Sequence, residues 1–457
     1  MNVHESTIVA QCTPHGAGAL AVIRLSGAEA ITIATRFSSV ASGIRLIDAA
    51  SHTIHYGRVV DEKTTTIDQV LFLLMHAPRT FTGENTVEIT CHNNPFIIEA
   101  IINQAVTHGA RRAKEGEFTK QAVLNNKMDL IQAEALNELI HANTQMALKQ
   151  SLQQLKGSLS QWVHDIEEQL YHALAYSESS FEFIDEEIQF GAQIADIITN
   201  IQCKIIDIKK TYTQQQQIRQ GVRIALIGTV NAGKSSLFNA LLNKDRAIVT
   251  NIAGTTRDSI EAGMYKNDTY QTLVDTAGLR HTDDTIEQQG ISRSHEEAQQ
   301  ADVILLVIDS TRNLTPDEQA IYESIRSLYP DKIITVYNKI DQTEHCAAHD
   351  SATASCVRVS SLTKAHIDQL EGLIAEKIAT LFNHLESPFL LNQRQFNLIL
   401  ELEQKLTVIQ QMLTGPIAYE LLSCHLQEAL ENLTEFSGKT ISEKGMDTVF
   451  RNFCIGK

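Results

Sequence analysis

What most restricts the possible folds is a stretch in the middle of the chain. Val222–Ile227 is a short apolar, β-branched run that passes directly into Gly228-Thr-Val-Asn-Ala-Gly233-Lys234-Ser235, and a helical run opens behind it at Ser236-Leu-Phe-Asn. A strand, a glycine-bearing loop of this spacing and a helix N-terminus form a cradle for phosphate. The glycines let backbone N–H groups point into one cavity beside the positive end of the helix. Asn231, Ala232, Gly233, Lys234, Ser235 and Ser236 are the candidate phosphate contacts. Lys234 would neutralise charge on the β- and γ-phosphates, and the Ser235 hydroxyl would ligate Mg²⁺. The spacing also recurs by accident, so its company decides.

Asp275-Thr276-Ala277-Gly278 closes the hydrophobic run Thr272–Asp275. A carboxylate there suits the Mg²⁺ shell through water, and the Gly278 N–H can meet a γ-phosphate. Asn338-Lys339-Ile-Asp341 closes the later run Ile333–Asn338. The Asp341 carboxylate offers two acceptor oxygens to the ring N–H and amino group of guanine; adenine lacks that donor pair and would leave the carboxylate unpaired. Ser360-Ser361-Leu362, after the run Cys356–Val359, fits a final loop over the base. Ahead of Asp275 lies Thr250-Asn251-Ile252-Ala253-Gly254-Thr255-Thr256-Arg257-Asp258. A Thr in this switch can complete the Mg²⁺ shell when a γ-phosphate is bound, so this loop should order with GTP and relax after hydrolysis. The motifs come in the correct order at strand ends, and this site, more than the fold, implies a GTPase. The residue after Gly278 is Leu279, which cannot orient water. Either hydrolysis is weak, or another residue does the job; the carboxylates between Arg280 and Glu287 are candidates or simply a solvated face.

A length of 457 residues suggests about three domains at roughly 150 residues each. The first 120 or so residues read as mixed α/β, with strands at Thr7–Ala10, Ala19–Leu25, Gln69–Met75 and Thr86–Thr90 and helices at Ala28–Phe37 and Phe96–His108. From about Leu124 the pattern turns helical. Leu148, Leu152, Leu155, Leu159, Val163, Ile166 and Leu170 make one apolar stripe at spacings of three and four, expected to pack a helical core. Gln214–Gln217 reads as a polar hinge before the α/β unit. In that unit β-branched runs alternate with helix-length segments, the mark of a parallel sheet with helical crossovers. Helix returns at Phe396–Leu413 and Ala418–Leu433. The expected domains are residues 1–123, 124–220, 221–382 and 383–457, with the parallel α/β unit interrupting a helical domain.

Charge and cysteine usage narrow the function classes. With 38 Lys+Arg against 55 Asp+Glu, the net charge of −17 excludes a generally basic nucleic-acid coat but leaves room for a local patch or a partner that binds RNA. Seven scattered cysteines with no CxxC pair argue against a disulfide framework or a structural zinc, and favour a reducing compartment. With no signal-peptide pattern and no long apolar run, a cytoplasmic location without membrane attachment is expected.

The chain resembles the MnmE (TrmE) family of tRNA-modification GTPases along essentially its whole length. The resemblance is carried by Ile8-Val-Ala-Gln-Cys-Thr-Pro14, Ile23-Arg-Leu-Ser-Gly27, Phe81-Thr-Gly-Glu84, Gly116-Glu-Phe-Thr119, Leu124-Asn-Asn-Lys-Met-Asp129, the phosphate loop, Gly254-Thr-Thr-Arg-Asp258, Asp275-Thr-Ala-Gly-Leu-Arg280 and the terminal Phe453-Cys-Ile-Gly-Lys457. It departs from the family at His15 and Ala17, at His92-Asn-Asn-Pro95, at Glu115 and at Gln121. The resemblance implies an N-terminal α+β domain that dimerises and binds a tetrahydrofolate derivative, 5,10-methylene- or 5-formyl-tetrahydrofolate. It further implies a helical domain interrupted by a Ras-like P-loop GTPase domain with a mostly parallel sheet. The implied folate contacts are Arg24, Glu88, Lys127 and Lys457. Read alone, each of these would be a surface or ion-paired charge. The implied catalytic set is Lys234, Thr256 and Glu287, with Glu287 orienting water through a second water. A K⁺ ion on Asn231, Thr250, Ile252 and Thr255 is implied where other GTPases receive an arginine. The partners implied are a second copy of the chain, a flavin-dependent MnmG (GidA)-type protein, and tRNA reached mostly through that protein. Cys454 is either a small residue packing the tail or a chemical group near the folate. Alternatives to weigh are a ribosome-assembly GTPase of the Era or EngA kind, with a KH-like C-terminal domain, and a GTP-gated scaffold without useful hydrolysis.

Overall fold

The computed structural model describes residues 6–182, 190–242, 260–266, 269–275, 296–342, 356–382, 389–451 and 453–456. The chain divides into two compact units, one of residues 1–137, 153–202 and 397–457, the other of 138–152 and 203–396.

The first unit begins with β1 (Ile8–Gln11), β2 (Leu20–Ser26), α1 (Ala30–Arg36), β3 (Ser38–Val40), β4 (Thr53–Val60), β5 (Thr66–Met75), β6 (Thr86–His92), α2 (Pro95–Thr107), β7 (Arg111–Arg112) and α3 (Glu117–Leu124). The strands form one sheet in the order β3-β4-β5-β6-β2-β1-β7, antiparallel except where β7 joins β1. Period-two alternation sends Ile23, Leu25, Phe72, Leu74, Val87 and Ile89 into a core with Ile98 and Ile101 of α2. Helix α2 starts where it does because the Asn94 side chain accepts the Phe96 N–H and Pro95 occupies the first helical turn. The sheet's other face carries apolar residues too: Ile54, Tyr56 and Leu71 are exposed there.

Helices α4 (Leu130–Ile140), α5 (Gln145–Leu155), α6 (Ser158–Glu182) and α7 (Gly191–Gln220) follow. The expected single stripe is two helices, broken at Gly157, whose φ of +99° a helix cannot contain. Its C-terminal half behaves as expected, with Leu159, Val163, Ile166 and Leu170 buried, whereas Leu148 and Leu152 of α5 are exposed. Gln214–Gln217 is not a hinge but part of α7. Glutamine is a good helix former, and a polar run ends a helix only when it brings glycine, proline or a cap.

The second unit is built on β8 (Val222–Gly228), α8 (Lys234–Leu242), β9 (Ile260–Lys266), β10 (Thr269–Asp275), β11 (Val303–Asp309), α9 (Pro316–Leu328), β12 (Ile333–Asn338), β13 (Cys356–Arg358) and α10 (Ile367–Phe382). The sheet order is β13-β12-β11-β8-β10-β9, parallel apart from the edge pair β10–β9. All seven residues of β11 are buried, as a central strand covered on both faces requires. Because β10 lies on one side of β8 and β11 on the other, the chain reverses its winding at the end of β8, where open α/β sheets bind ligands.

Helices α11 (Gln393–Met412), α12 (Tyr419–Ser437) and α13 (Glu443–Phe450) close the chain. In the first unit α12 lies along α6 with Leu422, Leu426, Ala429 and Leu433 buried, and Lys439 pairs with Glu167 at 2.8 Å. The C-terminal segment is thus helical, unlike a KH-like domain. Among the described residues no helix is long and apolar enough to cross a membrane.

Candidate functional site

The loop after β8 departs from the sheet at Thr229 and turns through two left-handed residues, Asn231 at φ +62° and Gly233 at φ +90°. A side chain at Gly233 would run into the Asn338 amide, so this position needs glycine for both backbone and space. Lys234 opens α8 and folds back over the loop. Its Nζ donates to the Gly228 and Thr229 carbonyls at 2.7 and 2.8 Å. Burial pushes the Lys234 ammonium below its ordinary range, against the opposing pull of Asp275. The Ser235 hydroxyl donates to Asp275 Oδ2 at 2.6 Å, and Asp275 itself is 1% exposed at the end of β10. A hydroxyl and a carboxylate held together, all oxygen, are a donor set that fits Mg²⁺.

The base-side loops are knitted to the phosphate loop by one residue. Asn338 is buried at the end of β12; its Nδ2 donates to the Ala232 carbonyl at 3.0 Å. Its Oδ1 accepts from the Ser361 N–H at 3.1 Å and the Ser361 hydroxyl at 2.7 Å. Asn338 therefore sets the spacing of the phosphate loop, the Asn338–Asp341 turn and the loop after β13. Lys339, left-handed at φ +67°, pairs with Asp309 at 2.6 Å. Asp341 stays exposed while its Oδ1 accepts the Ser360 hydroxyl at 2.5 Å, which aims the carboxylate. Leu362 is 79% exposed at the mouth. Of the expected residues, Thr250, Asn251, Ile252, Ala253, Gly254, Thr255, Thr256, Thr276, Ala277, Gly278 and Glu287 lie outside the described residues, as does Lys457.

A second group of expected residues lies on the N-terminal sheet. Arg24 of β2 and Glu88 of β6 are cross-strand partners, and the Arg24 guanidinium meets Glu88 Oε1 at 2.8 and 2.7 Å. Arg24 also lies over the rings of Phe81 and Phe118, 5.5 and 5.6 Å from their centroids. Lys127 is exposed, its Nζ donating to the Pro78 carbonyl at 2.9 Å. Nearby, the Ser26 hydroxyl donates to Glu84 at 2.8 Å, and burial raises the Glu84 carboxyl. The chain's tail comes to this same sheet. Ile455 bridges Glu115, the Gly116 N–H donates to the Cys454 carbonyl at 3.3 Å, and Gly456 (φ +92°) has no room for a side chain beside the Gln11 carbonyl. Cys454 is exposed, so packing does not explain it. Sequence reasoning missed Phe81 and Phe118 as Arg24's supports and Asp309 as the partner of Lys339; no local pattern marks them.

A phosphate loop at the winding reversal of a parallel sheet, with a Mg²⁺-suited Ser–Asp pair and the Asn338–Asp341 motif following β12, defines a P-loop GTPase. The description "GTP-binding protein TrmE N-terminus" matches residues 7–127, and "MnmE helical domain" matches residues 130–454. The chain belongs to the MnmE family of tRNA modification GTPases. It is 38% identical to tRNA modification GTPase MnmE of Geobacillus kaustophilus and 35% identical to that of Acetivibrio thermocellus, in each case over 99% of both chains. Among solved structures, a variant of Aquifex aeolicus Era bound to GDP·AlF₄⁻ matches at 25% identity over 40% of this chain and 66% of its own, with a TM-score of 0.27.

Proposed function

We propose that this GTPase, as a homodimer acting with a flavin-dependent MnmG (GidA)-type partner, installs an aminomethyl or carboxymethylaminomethyl group at C5 of the wobble uridine of certain tRNAs. The likeness over the full length to relatives named tRNA modification GTPase MnmE carries this reading. The donor of the one-carbon unit is a tetrahydrofolate derivative on the N-terminal sheet. The residues there fit it. Both contacts from Arg24 fall on Glu88 Oε1, so a pterin's amino and ring N–H groups can take Oε2 without breaking the pair. Lys127 and Lys457 would meet the folate's carboxylates, and Gly456 beside β1 supports Lys457 in that role.

In the GTP site, Lys234 exchanges its two carbonyl contacts for phosphate oxygens as GTP binds, and Glu287 orients the attacking water. Ser235 and Thr256 would hold Mg²⁺, and Asn231, Thr250, Ile252 and Thr255 would hold K⁺; the two ions would supply positive charge to phosphoryl transfer. Hydrolysis drives opening and closing of the GTPase domains and does not supply the transferred group. With a net charge of −17, the chain leaves most tRNA capture to its partner, in the cytoplasm. Nucleoside mass analysis of tRNA from cells lacking the protein tests this. Loss of the C5-substituted wobble uridines is expected; unchanged wobble uridines would overturn the tRNA reading and leave the GTPase standing.

A further inference from the structure

The first residue of the phosphate loop is held by a side chain that none of the nucleotide-binding motifs contains. Val307 of β11 lies opposite Gly228, the last residue of β8, and beyond that pair Thr229 leaves the sheet. Two neighbouring strands that part company leave one backbone N–H and one carbonyl without a ladder partner, and a buried unpaired group is costly. Here the Tyr322 hydroxyl fills the gap. It accepts from the Thr229 N–H at 2.9 Å and donates to the Val307 carbonyl at 3.1 Å. A hydroxyl is suited to this because it donates and accepts at once, so it adds one rung to the ladder while keeping the strands apart.

The Tyr322 ring is 2% exposed in α9, packed in a core with Ile227, Ile304, Ile308 and Ile325, so the hydroxyl has little freedom to move. The start of α9 is itself fixed. Thr315 and Glu318 form a reciprocal capping box, and Arg312 clamps Glu318 with two hydrogen bonds at 2.8 and 2.6 Å. Thr229 is also one of the two carbonyls that hold Lys234. The strut therefore fixes the residue against which the phosphate-binding lysine rests.

We propose that Tyr322 is a positioning residue for nucleotide binding: its hydroxyl holds the phosphate loop in the shape that receives the β-phosphate, without touching the nucleotide. A loop ordered beforehand spares binding the cost of ordering it. Without the hydroxyl, the Thr229 N–H and Val307 carbonyl must find new partners, and the loop relaxes toward shapes that bind nucleotide less well. The effect falls on affinity before it falls on the chemical step.

The test uses the full-length protein, fluorescently labelled GDP, and steady-state GTP hydrolysis. Tyr322→Phe removes one oxygen and keeps the ring. It is expected to weaken GDP binding about fivefold to twentyfold, chiefly through faster release, the range for stranding a buried polar group. KM for GTP should rise with it, while kcat at saturation falls less than about threefold. Ile325→Val, which thins the same buried face of α9, is the control: it should lower the melting temperature and leave GDP affinity within about twofold. Unchanged GDP affinity in Tyr322→Phe, or an equal loss in Ile325→Val, would overturn the proposal. So would a Tyr322→Phe chain that fails to fold even with saturating GDP, because a strut that serves the loop leaves the core standing.

Discussion

The two polar sites of this chain are built by opposite means. In the GTPase unit the key cation, Lys234, rests on the carbonyls of Gly228 and Thr229, a few residues back along the same loop. On the N-terminal sheet the key cation, Arg24, rests on Glu88, a residue of another strand brought opposite by register, and on the rings of Phe81 and Phe118. The first arrangement is local and holds the lysine through weak neutral acceptors, which phosphate oxygens can replace. The second is a charged pair made by long-range pairing, which a ligand on that sheet would have to share. A site whose contacts are to be exchanged can be written in one short loop; a site whose contacts are to persist needs the sheet.

That contrast can be attacked in order of expected effect. Lys234→Ala should be the most damaging, lowering kcat/KM for GTP on the order of 10²–10³-fold, since it removes the charge that meets the developing phosphate charge. A loss below about tenfold would mean the loop amides carry the site alone. Asp341→Asn comes next. It should weaken GTP roughly 10²-fold and raise affinity for xanthosine triphosphate, whose C2 carbonyl accepts from the new amide. Equal losses for both nucleotides would mean Asp341 shapes the loop without reading the base. Glu88→Gln on the other site should weaken a 5-formyl-tetrahydrofolate analogue about tenfold in calorimetry, the worth of one charge-assisted hydrogen bond. GTP turnover should stay as it was, and a fall in turnover would show that the two sites are not separable.

The smallest effect concerns pH. The Arg312 fork, with help from the Thr315 N–H, holds the Glu318 carboxyl at about 2, against an ordinary 4.5. A depressed carboxyl adds stability above the unfolded value and loses it as pH falls, so this contribution fades between pH 4.5 and about 2. Arg312 faces solvent, which keeps the contribution small. Melting curves of Arg312→Ala should show a slightly shallower loss of stability across that window, and an unaltered slope would assign the acid sensitivity elsewhere.

What was legible in the sequence follows the same division. The phosphate loop, Asp275, Asn338, Asp341 and Ser360 stand where their motifs put them, because each motif encodes its own turn at a strand end. The bridging role of Asn338 was not legible, since it depends on how close β12 brings it to Ala232. β4 escaped notice because Ile54 and Tyr56 are apolar on its exposed side, which blurs the alternation that marks a half-buried strand. β9 escaped because Ala262 and Gly263 are weak strand formers; the glycine is there because the Tyr270 ring lies over it. The stripe from Leu148 to Leu170 kept its spacing across a break at Gly157, so periodicity alone could not reveal two helices. Tyr322 gave no signal at all. On the buried face of an amphipathic helix, an aromatic residue reads as filling, and only the coordinates of Thr229 and Val307 give its oxygen a task.

The tail beside β1 also imposes an order of events on biosynthesis. Gln11 leaves the ribosome long before Gly456, with the helices and the whole GTPase unit between them, yet the two lie against each other in the finished fold. At roughly 5–20 residues per second, Gln11 waits some tens of seconds for the tail that packs beside it. During that interval the intervening elements emerge and can fold. The contact between the tail and β1 is therefore made after the GTPase unit has been synthesised, although β1 is the first strand made.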